Sequence, residues 1–200
     1  MTQPKRIARE RCFGVIIDVQ EFFLAQIDKR QRGRIKTNTA NFVRLLNYFQ
    51  IPIVVTVERP LDIKGALPAE VGKHLGAGAR RFEKSFFDLS KEKTIRSHLA
   101  GLKKQQAIVA GCETDVCVLQ SCLGFIDLGY EVFLVEELIF SSARNVEAAL
   151  TRMQAAGVVV LSYKTLFYEL LEAVESYRRA EKMLAAYGPF PEDLPDAAVL

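Results

Sequence analysis

Cys117 stands where a short apolar run gives way to a helix, a position at which a thiol can do chemistry. In the stretch Ile108 to Cys122, IVAGCETDVCVLQSC, residues Ile108, Val109 and Ala110 read as a buried strand and Gly111 marks its end. Thr114 is a good N-cap, which puts Cys117 in the first helical turn. Free backbone N–H groups and the positive end of the helix dipole favour a thiolate there, so a lowered thiol pKa is expected. A cysteine on an apolar helix is more often packing than nucleophile, and partners elsewhere must carry the case. Two are available: Asp18 follows the apolar run FGVII, and Lys84 follows the segment ARRFE. A carboxylate can take the thiol proton, an ammonium can stabilise the thiolate, and helix N-terminal donors can hold an oxyanion.

These residues need a scaffold that gathers strand ends. The run from Phe13 to Ile17 has the continuous apolar character of a central strand covered on both faces. Gln20, Phe22 and Phe23 follow in a loop, residues 28–36 read as an exposed polar stretch, and a helix capped by Thr37 or Asn38 carries Phe42, Leu45, Leu46 and Phe49 on one face. Ile53 to Val57 form a second strand ending at Glu58. Residues 60–80 hold four glycines and two prolines, and suggest an irregular wall over a site before a short edge strand leads to Lys84. Ser90 caps a helix bearing Ile95, Leu99 and Leu102, which delivers the chain to Ile108. After the cysteine helix, Gly129 is a stop, Val132 to Val135 a strand, Ser142 the cap of a helix with Val146, Ala149, Leu150 and Met153, and Val158 to Leu161 a last strand. A final helix is expected from Lys164 to about Tyr187. Six alternations of strand and helix predict a doubly wound, three-layer α/β/α domain with a central six-stranded, mostly parallel sheet and ligands at the strands' carboxyl ends. Residues 1–10 are expected to be loose, 11–187 to form the domain, and 188–200 to be a tail.

The whole chain narrows the function. Two hundred residues, half of them hydrophobic, bury a sizeable core without disulfides or metal. With 27 basic and 24 acidic residues there is no polyanion footprint, so no nucleic-acid partner is expected. No apolar run reaches membrane-spanning length and the amino terminus has no secretory h-region, so no membrane association and a cytoplasmic location are expected. Cys12, Cys112, Cys117 and Cys122 lie in apolar surroundings, which fits a reducing compartment. No GxGxxG follows the first strand and no Walker A sequence occurs, so no nucleotide cofactor is expected.

Three blocks then carry a resemblance: Asp18-Val19-Gln20 with Phe22 and Phe23, Lys84-Ser85-Phe86, and Gly111-Cys112-Glu113-Thr114-Asp115-Val116-Cys117-Val118. In this order they resemble the isochorismatase-like cysteine hydrolases over roughly residues 11–175. The resemblance implies Asp18 as base, Lys84 as the positive charge, and Cys117 as the nucleophile of a thioester intermediate. It also implies a cis peptide between Cys112 and Glu113, with the Glu113 and Cys117 N–H groups as oxyanion hole, and a homo-oligomer that is a dimer, tetramer or larger.

Departures from the subfamilies point to a branch. Where the nicotinamidase branch carries a metal site with histidines, this chain reads Glu58-Arg59-Pro60-Leu61-Asp62-Ile63-Lys64, and its two histidines, His74 and His98, read as surface residues. No metal is therefore expected. Cys117 sets the chain apart from isochorismatase proper and argues for C–N or other acyl chemistry, as in the uncharacterised isochorismatase-domain branch. Glu58 is a candidate to orient an amide or amine, and Gln20, Phe22, Phe23 and Phe86 are candidates to meet a small-molecule substrate. The expected function is hydrolysis of a small amide, carbamoyl or related acyl compound through an Asp-Lys-Cys triad. The alternative is a non-catalytic or redox-responsive interaction protein, motivated by Cys112 and Cys122 on either side of Cys117.

Overall fold

A single parallel sheet gathers the strand ends. The computed structural model describes residues 5–173. Its strands are β1 (Cys12–Ile17), β2 (Ile53–Glu58), β3 (Ala79–Lys84), β4 (Gln106–Cys112), β5 (Glu131–Phe140) and β6 (Val159–Leu161), in the order β3-β2-β1-β4-β5-β6 with every pair parallel. The chain winds outward from β1 in one direction, then returns to lay β4 on its other side. The switch point thus lies between β1 and β4, where open α/β sheets form their ligand crevice.

Pleat and helix periodicity explain the two covering layers. Alternate residues of β1 point to opposite faces: Cys12 and Ile16 join one buried cluster, Phe13, Val15 and Ile17 the other. The first cluster is closed by α2 (Lys29–Tyr48), with Phe42 and Leu46 buried, and by α8 (Tyr163–Leu171), with Leu166 and Leu170 buried. The second is closed by α5 (Lys93–Leu102), α6 (Leu119–Asp127) and α7 (Glu147–Ala155), through Ile95, Leu99, Phe125 and Met153. Among the described residues, no helix is long and apolar enough to cross a membrane.

Several element limits differ from the sequence expectation, for local reasons. Residues 22–23, expected in a loop, belong to a single helical turn, α1 (Glu21–Leu24). Helix α2 begins at Lys29, well before Thr37: Asp28 accepts from the Gln31 N–H at 3.0 Å, and the Arg32 guanidinium donates to the carbonyls of Leu24, Ala25 and Ile27. The stretch 60–80 is broken by two further turns, α3 (Leu61–Lys64) and α4 (Ala69–Gly72). Ser90 lies in a 3-10 turn capped by Asp88, and α5 starts after Glu92. Ser142 is drawn instead to Glu113, and α7 starts after Val146. Helix α8 ends at Leu171, with Glu172 at φ 64°; the expected continuation beyond residue 173 and the expected tail lie outside the described residues. Residues 5–10 are not loose: Ile7 is buried, its N–H donates to Glu169, and Lys5 Nζ donates to the Gly157 carbonyl.

Candidate active site

Four strand ends converge on one ammonium. Asp18 follows β1, Glu58 closes β2, Lys84 closes β3, and Cys117 lies in the π-helical turn Thr114–Val118 after β4. The parallel register places Ile17 beside both Thr56 and Gly111, and Glu58 beside Lys84, so these ends are level. Gly111 makes the closest approach possible: its φ is 125°, and a Cβ there would lie 2.0 Å from the Ile17 carbonyl oxygen. Beyond it, β5 carries a bulge, with Leu134 and Ile139 opposite Val109 and Gly111. Asp18 itself sits at φ 51°, a left-handed conformation costing roughly 1–2 kcal/mol that clusters at functional positions. Its carbonyl accepts from the Gln20 N–H at 2.8 Å and from the Cys112 thiol at 3.0 Å.

Lys84 is fully buried. Its Nζ lies 2.6 Å from Asp18 Oδ2, 3.1 Å from Glu58 Oε2 and 3.4 Å from Cys117 Sγ. Thr56 Oγ1 donates to Asp18 Oδ1 at 2.8 Å, while Oδ2 receives no donor beyond its ion contact with Lys84. The Cys117 thiol donates to Glu58 Oε2 at 3.0 Å, and Lys64 Nζ closes on Glu58 Oε1. Two carboxylates and one ammonium therefore surround one sulfur in a place nearly closed to water, and a second ammonium, Lys64, backs Glu58 from its other oxygen.

The helix that carries Cys117 is tied to the loop that follows Lys84. Ser121 Oγ accepts from the Leu89 N–H and donates to the Phe87 carbonyl, both at 3.2 Å. Gly124 permits this seating, since a Cβ there would come within 2.4 Å of Asp88 and Ser90. The turn bearing Cys117 is capped by Glu113, whose carbonyl accepts from the Val116 and Val118 N–H groups, and not by Thr114 as expected; Thr114 is the first, buried residue of the turn. The peptide between Cys112 and Glu113 is cis. Ser142 holds the Glu113 carboxylate, and Ser141 donates to Asp115 at 2.6 Å.

The electrostatics reverse one expectation. The Cys117 thiol is pushed well above its usual pKa, first by burial and then by the Asp18 charge, against the pull of Lys84. A helix start does not offset the loss of water at a residue only 3 % exposed whose sulfur is faced by two carboxylates, so the resting group is a thiol. Burial also makes Asp18 easier to protonate than an ordinary aspartate, despite Lys84 and Thr56. Burial acts on Glu58 in the same sense, but Lys64, Cys117 and Lys84 outweigh it and keep its carboxylate below the usual range. Burial works against the Lys84 ammonium, yet Asp18, Cys117 and Glu58 hold it more firmly protonated.

Of the candidates drawn from the sequence, Asp18, Lys84, Glu58 and Cys117 come together. Gln20 does not face a substrate: it is fully buried, and its side-chain amide is spent on the Glu58 N–H, the Glu58 carbonyl and the Gly65 carbonyl, which pins the end of β2. Phe23 is buried with Lys64 Nζ 5.8 Å over its ring, while Phe22 and Phe86 are 41 % and 50 % exposed. Thr56 and Lys64 escaped notice. Thr56 was visible as a hydroxyl inside an apolar strand, but Lys64 reaches Glu58 only through a turn that folds back after cis Pro60, for which no local signal exists. Asp18, Glu58 and Cys117 form a group of cation-ligating type among the described residues, with ligand atoms within 4.8 Å of one another. The Lys84 ammonium occupies their common space, so this donor set fits an ammonium and not a metal ion. His74 and His98 are half-buried elsewhere, His98 with its ring 5.3 Å from that of Phe82.

Comparison with known proteins agrees with this architecture. The secreted isochorismatase effector Isc1 of Phytophthora sojae is 29% identical over 160 residues, covering 78% of this chain and 74% of that protein. The YcaC gene product of Escherichia coli, described as an octameric hydrolase of unknown specificity, superposes with a TM-score of 0.84 at 21% identity over 94% of both chains. The MAR1 ribonuclease of Caenorhabditis elegans superposes with a TM-score of 0.81 at 21% identity, over 96% of this chain and 98% of that one. The family model of the isochorismatase domain matches residues 13–165, from the first residues of β1 into α8 and across all four converging strand ends; the chain belongs to the isochorismatase family.

Proposed function

We propose that this protein is a cysteine-dependent hydrolase of a small amide, carbamoyl or related acyl compound. The observation that supports the reading best is the contact of one buried ammonium, Lys84, with Asp18, Glu58 and the Cys117 sulfur at 2.6, 3.1 and 3.4 Å. Asp18 Oδ2 takes the thiol proton, since burial makes Asp18 a stronger base than usual and Thr56 occupies only its other oxygen. Lys84 then faces the thiolate as it attacks the acyl carbon. The N–H groups of Glu113 and Cys117 receive the oxyanion, Asp18 returns its proton to the leaving nitrogen, and water hydrolyses the thioester. The exposed Phe22 and Phe86, with Glu58 inside, are the side chains assigned to meet the substrate.

Four unbonded cysteines favour a reducing compartment such as the cytoplasm, and the octameric assembly of the E. coli protein motivates self-association here. The redox-responsive alternative gains no observation, since Cys112 and Cys122 are fully buried. The test is ammonia or amine release from a panel of primary amides, ureas and carbamates, nicotinamide included, with accumulation of an acyl adduct on Cys117 read by mass spectrometry. Cys117→Ala, folded by circular dichroism, should release nothing. Full turnover by that variant would refute the covalent reading.

A further inference from the structure

Glu58 touches the reacting sulfur but has no part in the proton transfer between Cys117 and Asp18. Its place is held from every side: Oε2 meets Cys117 Sγ at 3.0 Å and Lys84 Nζ at 3.1 Å, Oε1 is closed on by Lys64, and Gln20 clamps its backbone N–H and carbonyl. An ionised carboxylate only accepts hydrogen bonds, so the thiol is the donor in this contact. Once Cys117 loses its proton, two anions face each other at 3.0 Å with one ammonium, Lys84, shared between them, so the like charge of Glu58 disfavours the thiolate. The groups facing the sulfur are Asp18 after β1, Glu58 from β2, Lys84 from β3 and the Cys112 thiol from β4, while Lys64 from α3 pairs with the far oxygen of Glu58. Transfer of the thiol proton to Asp18 keeps the net charge of these groups at zero but moves an anion from Asp18 onto the sulfur, directly against Glu58 Oε2, with the Lys84 ammonium shared between the two. A replacement donor must therefore reach Glu58 Oε2 as the thiol gives up its proton.

We propose that Glu58 gates the nucleophile: it holds Cys117 as a thiol until a substrate N–H group takes Oε2, and so selects acyl compounds bearing an N–H donor one or two bonds from the reacting carbon. The inference rests on the acyl-transfer reading above and names the substrate class within it. A carbon poised for attack lies about 3–3.5 Å from sulfur, and an amide nitrogen only about 1.3 Å further along the C–N bond. With Oε2 itself 3.0 Å from Sγ, the N–H of a primary amide, urea or amidine over the sulfur is within reach of Glu58. An ester presents an alkoxy lone pair to the same oxygen, and a carboxylate presents a charge. In the gated step the S–H bond breaks, its proton forms an O–H bond at Asp18 Oδ2, the sulfur pair forms the S–C bond, and the carbonyl π pair moves to oxygen. The substrate N–H remains on Glu58 throughout.

The test uses two matched alkylating probes, 2-chloroacetamide and methyl chloroacetate, in which the amide or ester carbonyl adjoins the attacked carbon. Rates of Cys117 modification at pH 7.5, read by peptide mass spectrometry, are normalised to each probe's rate with glutathione. The wild type should favour the amide by tenfold or more. Glu58→Gln, which can donate to sulfur, should react faster with the ester and bring the normalised ratio near one. Lys64→Met, which keeps the carboxylate but withdraws its cation, should slow both probes and retain the amide preference, a pair of opposite signs that mere loosening of the fold would not produce. A wild-type ratio near one overturns the gate even if Glu58→Gln fails to fold, as does a ratio unchanged by Glu58→Gln. Amide preference without turnover of any amide would overturn the hydrolase reading and leave the gate standing. Turnover of amides with a ratio of one would overturn the gate alone.

Discussion

Replacing Lys84 by methionine tests the site as a balance of buried charge. Lys84 and Asp18 have no solvent exposure, so the change leaves two carboxylates, Asp18 and Glu58, with Lys64 as the remaining ammonium in contact. Removing one partner of a buried ion pair destabilises by about 3–5 kcal/mol, because the other charge stays out of water. One escape is open: Asp18, already easier to protonate through burial, takes up a proton. An acid whose folded pKa lies above its unfolded value binds more protons when folded, so stability declines as pH rises through that window. The loss should therefore be largest near pH 8 and smaller near pH 5. With a urea m-value of about 2–3 kcal/mol/M, the midpoint should fall by roughly 1–2 M at pH 8. Unfolding by urea, followed by circular dichroism at fixed protein concentration because association shifts apparent stability, would be compared for wild type, Lys84→Met, Asp18→Asn and the double variant. The double variant should be more stable than the sum of the single losses by about 1–3 kcal/mol. A loss under about 1 kcal/mol at pH 8, independence of pH, or strict additivity would refute the charge-balance argument.

Three further outcomes follow from the same geometry. Alkylation of wild-type Cys117 by iodoacetamide should keep rising through pH 9, because burial and Asp18 hold its thiol above the usual range; a plateau below pH 7 would show a thiolate at rest. Gly111→Ala places a methyl group 2.0 Å from the Ile17 carbonyl at a backbone angle that L residues avoid, so a loss of about 3 kcal/mol or more, or insoluble protein, is expected, and a melting temperature within 2–4 °C (about 1 kcal/mol) of wild type would contradict the close approach of β1 and β4. Ser121→Ala leaves the Leu89 N–H without its acceptor and should destabilise by about 1–3 kcal/mol while slowing Cys117 alkylation; an unchanged urea midpoint would show that the Ser121 tie carries no weight.

Much of the site was legible because its signals are local. Apolar runs ending at Asp18, Glu58 and Ala110, with helical periodicity between them, are enough to read strands, crossovers and the end of the sheet at which chemistry occurs. The three motif blocks singled out Asp18, Lys84 and Cys117, and the structure brings their side chains together. Other readings failed where another group, distant or adjacent in the chain, competes for a local signal. Ser142 has the composition of a helix cap but bonds to Glu113, which lies 29 residues earlier, and Thr114 is displaced as cap by the neighbouring Glu113. Gln20 sits in a functional motif yet serves the backbone of β2, because a buried amide is stable only with its donors and acceptor used.

Sequence alone determined which residue types stand at the carboxyl ends of the strands, since burial pattern and turn chemistry depend on near neighbours along the chain. Tertiary structure decided what those residues do to one another. Only the order β3-β2-β1-β4 and its parallel register bring Glu58 and Cys117, 59 positions apart, into contact, and only that contact with the loss of water around it decides that the resting sulfur is a thiol. Coulomb and desolvation energies depend on distance and exposure through space, and neither is written in the spacing of residues along a chain.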